Sequence, residues 1–185
     1  MKIKSLSYIL IESTNLESWE AYARDVVGLM KNDDLCDENN LFFRMDESPF
    51  RFQVQKGDND RYARGGFELE NKKAFDEAKK ELSNLGIEVT IESEELAQVR
   101  CVQELLSFDD PAGNTLELFY GRGIDTNEFK STQDISKFVT HGLGLGHVVF
   151  GTLEVEAAHD FYKEVMNFGD SDIMRMRFSP DPNDP

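Results

Sequence analysis

Residues 108–121 read FDDPAGNTLELFYG. This stretch decides the fold because it joins turn chemistry to strand chemistry in a fixed order. The residues leading into it, VQELLSFDDP from Val102, are rich in apolar side chains, and NTLELFYG resumes an alternating apolar pattern. Between them Asp110, Pro111, Gly113 and Asn114 supply the backbone angles of a tight turn. The spacing predicts two strands joined by a turn, closing a larger unit.

That unit opens upstream with GGFELENKKAFDEAKKELSNLGI, residues 65–87. A short strand leads into a helix whose Phe75, Ala78, Leu82 and Leu85 recur at helical spacing, with a stop at Gly86. IEVTIES follows as another strand. The same order appears earlier in LSYILIESTNLESWEAYARDVVGL, residues 6–29. There Leu16, Trp19, Ala23 and Val26 form the stripe, Thr14 and Glu17 fit a capping box, and Gly28 fits a C-terminal cap. Strand-like NLFFRMD, FRFQVQKG and RGGFELE come next, with DESP as a turn. Each complete unit is therefore β-α-β-β-β, and the aromatic stripes are expected in the core.

The pattern starts a third time in GHVVFGTLEVEAAHDFYKEVMNFGD, residues 146–170. Val155, Ala158, Tyr162 and Val165 form its stripe, with Asn167 or Gly169 near the end. A polar stretch, residues 122–141, reads as a linker before this unit. After it comes one more possible strand, SDIMRMRF, and then a proline-rich tail that cannot donate a full ladder of hydrogen bonds. The expected organisation is α+β: tandem βαβββ modules with a first domain over residues 1–121, a linker over 122–141, and the start of a second domain over 142–185. A third unit this short of strands leads us to expect further chain beyond it.

The 185 residues are enough for a substantial core, and a net charge of −16 opposes phosphate backbones and anionic lipid. No nucleic-acid or membrane partner is expected. No apolar run reaches the ~18 residues of a membrane span, and the N-terminus lacks the pattern of a signal peptide. Cys36 and Cys101 lack a C-x-x-C arrangement and read as reduced thiols of a cytoplasmic protein. The acidic clusters lack the spacing and central glycine of a calcium loop and read as solvated surface.

Paired βαβββ units closed by D-P-x-G-N-x-L-E-L resemble the vicinal oxygen chelate superfamily. The order of parts is more specific. Two modules end in LELFYG, and FVTHGLGLGHVVFGT and AHDFYKEVMNFGDSDI follow, which resembles the type I extradiol ring-cleaving dioxygenases. The resemblance implies a metal-free first domain and an Fe(II) site in the second, held by two histidines and a glutamate on separate strands. It implies a catechol-type substrate, O2 as co-substrate and a homo-oligomer. It places the first iron ligand at His147 and a substrate-lining residue at Val149. Strand alternation would set Leu145, His147 and Val149 on one face. No residue of this chain matches the other ligands or the acid/base.

By residue pattern alone, a lone histidine on an apolar strand is more often a hydrogen-bonded core residue than a ligand. His141 reads as a loop residue and His159 as an exposed helix residue. Glu117 lies where single-domain relatives can ligate metal, but the opening strands supply no histidine to join it. Two other functions suit the same scaffold: a non-redox binding or resistance protein, and a glyoxalase-type isomerase.

Overall fold

The computed structural model describes residues 1–171. The first module comprises β1 (Ile3–Ser13), α1 (Leu16–Ala21), β2 (Met30–Lys31), β3 (Asn40–Arg44) and β4 (Phe52–Lys56). The second comprises β5 (Arg61–Leu69), α2 (Lys72–Asn84), β6 (Thr90–Ile91), α3 (Glu94–Val99), β7 (Glu104–Asp109) and β8 (Thr115–Tyr120). All eight strands form one sheet in the order β2-β3-β4-β1-β5-β8-β7-β6.

The order follows from the helix crossovers. A helix between strands permits parallel pairing, whereas tight turns give antiparallel pairing. Accordingly β1 pairs parallel with β4, the last strand of its own module, and β5 pairs parallel with β8. The modules join where β1 and β5 run antiparallel at the centre. The tandem βαβββ reading holds, with two additions. Met30–Lys31 forms a strand too short for periodicity to reveal, and α3 interrupts the second module. IEVTIES narrows to Thr90–Ile91.

Strand alternation sorts the two faces of the sheet. Leu106, Phe108, Leu116, Leu118 and Tyr120 meet Phe75, Ala78 and Leu82 of α2. On the opposite face Tyr8, Leu10, Phe42, Phe50, Leu105 and Phe119 meet Ala97 of α3. The first helix covers the outer side of its own module, where Leu16, Trp19 and Ala23 pack on Leu41, Phe43 and Val54. Each large side chain fully buried in this way contributes roughly 1.5–3 kcal/mol.

The stripes need three corrections. Val26 is exposed because α1 passes into a π-helical turn over Tyr22–Val27, whose wider winding rotates Val26 off the buried face. Leu85 is exposed because it lies one residue past the end of α2. Val155 is exposed at the start of α4 (Val155–Asp160). The capping box is also replaced. Asn15 caps α1 by accepting from the Ser18 N–H at 2.9 Å, while Thr14 is drawn to Asp60 through its N–H and hydroxyl.

The π-turn recurs in the third unit, where α4 continues into Phe161–Val165. In the first unit the Leu29 N–H donates to Ala23 O at 2.8 Å; in the third, Phe168 N–H donates to Tyr162 O at 2.9 Å. Each turn ends on a left-handed residue, Gly28 at φ 83° and Asn167 at φ 58°. The repeat is therefore one of backbone geometry as well as of sequence, and Tyr162 occupies the place of Ala23.

The polar stretch after β8 is bound to the first module. Arg44, itself buried, pairs with Asp125 at 3.0 Å and donates to Asn127 O at 3.0 Å. Thr132 donates to Arg24 O, and Phe138 packs on the cluster around Leu41 and Phe43. Its composition reads as a spacer because a few anchors do the work. Beyond it, among the described residues, the expected strand 146–152 is not formed. One bridge joins Gly144 to Leu6, and Leu145 N–H donates to Leu6 O at 3.0 Å. The SDIMRMRF strand lies outside the described residues, apart from its first serine.

Candidate functional site

The segment that carries His147 runs beside β1 without joining the sheet. Gly144 fixes its approach: its φ is 80°, and a Cβ there would lie 2.1 Å from Leu6 O. From that point Leu145, Val148 and Phe150 turn toward the core on the α2 side of the sheet. His147 and Val149 are exposed, Val149 at 84%. This corrects the expectation that Leu145, His147 and Val149 share one face. Without a ladder to enforce alternation, Leu145 packs inward and separates from the other two. A cleft of about 460 Å³ lies between β1 and this segment, lined by Leu6, Phe67, Val148, Phe150 and Tyr162 with His147 at its edge.

One imidazole does not hold iron against water. Among the described residues there is no group of three His, Cys, Asp or Glu side chains arranged to hold a metal. His141 sits in a turn at φ 49°, exposed. His159 is exposed on α4 and bonded to Asp170 at 2.8 Å, which raises its pKa above the ordinary histidine value. Neither approaches His147 as a co-ligand in any contact of the structure. The described residues therefore do not by themselves fit an iron centre.

The best-organised polar cluster is elsewhere, on the inner face of the sheet around Glu117. This residue is fully buried on β8, and its hydrogen-bond partners come from three other parts of the fold. Arg100, following α3, donates from Nε to Glu117 Oε2 at 3.0 Å and from Nη2 to Oε1 at 3.3 Å. Arg64 Nη1 on β5 lies 3.1 Å from both Glu117 Oε1 and Glu92 Oε1. Tyr8 on β1 donates its hydroxyl to Glu117 Oε2 at 2.6 Å. Arg100 also donates to Gln53 on β4 at 2.9 Å. Burial pushes the Tyr8 phenol well above its ordinary range, and the Glu117 charge adds to the effect. Burial opposes the charge on Arg64, but Glu117 and Glu92 outweigh it and raise its pKa.

The carboxylate that could have faced a metal is instead neutralised by two guanidinium groups. α3 lays Ala97 over the same face, and the interior is filled by the protein's own side chains. This arrangement is a polar core, with its lone pairs already taken. Sequence reasoning singled out Glu117 but not its partners. Arg100 and Arg64 sit among surface-like charged residues, and only the sheet register brings Arg64 opposite Thr115, two residues from Glu117. Cys36 and Cys101 are unpaired, and burial raises both thiol pKa values, so neither is poised as a nucleophile.

Comparison with known proteins then bears on the whole arrangement. Residues 6–57 match a family model described as dihydroxybiphenyl dioxygenase BphC D1. An iron-dependent extradiol dioxygenase of Rhodococcus jostii is 38% identical over 176 residues, covering 95% of this chain and 58% of the relative. Over nearly its whole length the chain is similar to extradiol dioxygenases. A 3-methylcatechol 2,3-dioxygenase of Pseudomonas putida is 33% identical over 175 residues, covering 94% of this chain and 60% of that relative. A crystal structure of catechol 2,3-dioxygenase superposes with a TM-score of 0.84 at 32% identity, over 89% of this chain and 58% of that one. The chain thus spans about 58–60% of the length of these curated relatives. The α+β fold of tandem modules is shared with that crystal structure, and no helix among the described residues is long and apolar enough to cross a membrane.

Proposed function

We propose that the protein is an iron-dependent extradiol dioxygenase, which opens a catechol-type ring with O2. The observation that carries this reading is the reach of the similarity. Identity to the Rhodococcus jostii relative extends over 95% of the chain, so it includes both the first two modules and residues of the third unit. In this reading residues 1–121 form a metal-free domain whose cup is occupied by the Glu117–Arg100 core. Residues 122–141 join it to a metal-binding domain that starts at 142.

His147 is the proposed first iron ligand and Val149 the proposed substrate-lining residue. The exposure of both side chains, with Leu145, Val148 and Phe150 turned to the core, supports their availability to a site on that side. Two imidazoles and a carboxylate would hold Fe(II), which when bound would supply chelation of the catechol and activation of O2. This chain supplies one of those donors, and its other residues serve to place it. The two unpaired thiols support a reducing, cytoplasmic setting, and we propose a homo-oligomer.

The test is an oxygen-electrode assay of the protein in a form that carries all three proposed donors, loaded anaerobically with Fe(II). It uses 3-methylcatechol and biphenyl-2,3-diol in parallel. The reading predicts consumption of one O2 per catechol with growth of the visible absorbance of a ring-opened product. Iron-loaded protein that consumes no O2 with either compound would refute it.

A further inference from the structure

The third unit is seated on the second module by a joint that neither the fold nor the proposed activity explains. Asp110, in the DPAGN turn, is buried and uses its two oxygens differently. Oδ1 accepts from the Ala112 N–H at 2.9 Å and the Asn114 N–H at 2.8 Å, which fixes the turn. Oδ2 accepts from Asn114 Nδ2 at 2.9 Å and, across the seam, from the Tyr162 hydroxyl at 2.8 Å. The side chain thus ties a local turn to a helix in a different unit. Burial pushes the Tyr162 phenol above its ordinary range and the Asp110 bond adds to this, so the hydroxyl stays a donor.

Around that bond the aromatic rings close a circuit. Tyr62 on β5 meets Phe150 edge-on at 4.9 Å between centroids. Phe150 stacks with Tyr162 at 6.2 Å, Tyr162 stacks with Phe168 at 6.0 Å, and Phe168 returns to Phe67 on β5 at 6.0 Å. The circuit begins and ends on one strand, so the third unit is held at two separated points of β5. A pair of such points resists rotation, which a single contact does not. Whereas the Tyr62 hydroxyl donates to Thr115 O within the second module, Tyr162 sits at the middle of the circuit and carries a polar link across the seam, to Asp110. Its counterpart in the first unit, Ala23, is too small to make either contact.

We propose that Tyr162 is a positioning residue for the segment that carries His147. Its hydroxyl in the DPAGN turn and its ring between Phe150 and Phe168 fix the third unit on β5, so the path through Leu145 and His147 is set by the second module. The linker sets the reach of the chain and Tyr162 sets its orientation. The inference rests on the proposed function for its significance, but its test does not use iron or catechol.

The test is amide hydrogen exchange at Leu145, whose N–H donates to Leu6 O, in the wild-type protein and in three variants. Tyr162→Phe keeps the rings and removes the hydroxyl. Tyr162→Leu removes the ring as well. Phe138→Ala loosens the linker instead. Exchange at amides inside β5 and β8 reports whether each variant keeps the folded sheet. With those amides unchanged, loss of a hydrogen bond to a carboxylate should speed Leu145 exchange roughly tenfold in Tyr162→Phe. Tyr162→Leu should speed it further, and Phe138→Ala should leave it within about twofold. Unchanged Leu145 exchange in both Tyr162 variants overturns the proposal, as does acceleration by Phe138→Ala alone. Failure of the ring-cleavage assay would leave this result standing, so the two readings fail separately.

Discussion

Replacing Arg100 with methionine should destabilise the protein more than any neighbouring surface change. Arg100 and Glu117 are 5% and 0% exposed, and three of the guanidinium's donors are engaged, two on Glu117 and one on Gln53. Methionine fills most of the volume but leaves a buried carboxylate with Arg64 and Tyr8 as its remaining partners. Breaking a buried pair from one side costs about 3–5 kcal/mol, and the residual Arg64 contact places this case near the lower end, about 3 kcal/mol. With a urea dependence of roughly 2 kcal/mol per molar, the unfolding midpoint should fall by about 1.5 M. Trp19 is the one tryptophan and reports unfolding by fluorescence, with far-ultraviolet dichroism as a second probe. The double variant Arg100→Met/Glu117→Gln removes both charges while leaving an acceptor for the Tyr8 hydroxyl. It should recover about 2 kcal/mol relative to the sum of the single changes. A midpoint shift under 0.3 M, about 0.6 kcal/mol, in Arg100→Met would refute the reading of this cluster as a coupled core. Strict additivity would refute it equally.

Two further outcomes follow from the same packing. Gly66→Ala places a methyl 2.2 Å from the Tyr8 ring, which is buried and bonded to Glu117, so overpacking should cost about 3 kcal/mol and lower the urea midpoint accordingly. Burial opposes ionisation of Asp46, but its bonds to Arg51 at 2.7–3.2 Å outweigh this and hold the carboxyl below the usual aspartate value. A depressed folded-state pKa gives stability that is present above about pH 3.9 and is lost as pH falls through the lower folded value. Wild type should therefore lose urea resistance below about pH 4 more steeply than Asp46→Asn, and parallel curves would contradict the assignment.

Much of this architecture was legible because periodicity reports burial. Phe75, Ala78 and Leu82 recur at helical spacing and are buried; Leu116, Leu118 and Tyr120 alternate and line one face. The failures have physical causes. Val26 follows helical spacing, yet the π-turn before Gly28 winds differently and turns it outward. The segment around His147 has strand composition, but a strand needs a partner along its length, and among the described residues it has one bridge to Leu6. The linker looks polar because Arg44, Asp125 and Phe138 anchor it at only a few positions. At the site, Glu117 was visible as a strand-borne acid, whereas Arg100 and Arg64 became its partners only through sheet register and the insertion of α3. The joint through Tyr162 and Asp110 lay inside two motifs already noticed, the DPAGN turn and the third helix, but nothing in their spacing linked them.

The measurement that tests the account most directly is the iron content of the protein, loaded anaerobically in a form that carries all three proposed donors, wild type against His147→Ala. The account predicts that the substitution removes bound iron and ring cleavage together, while the far-ultraviolet dichroism stays that of the wild type. Iron retained at wild-type stoichiometry in His147→Ala, with catechol still cleaved, would contradict it.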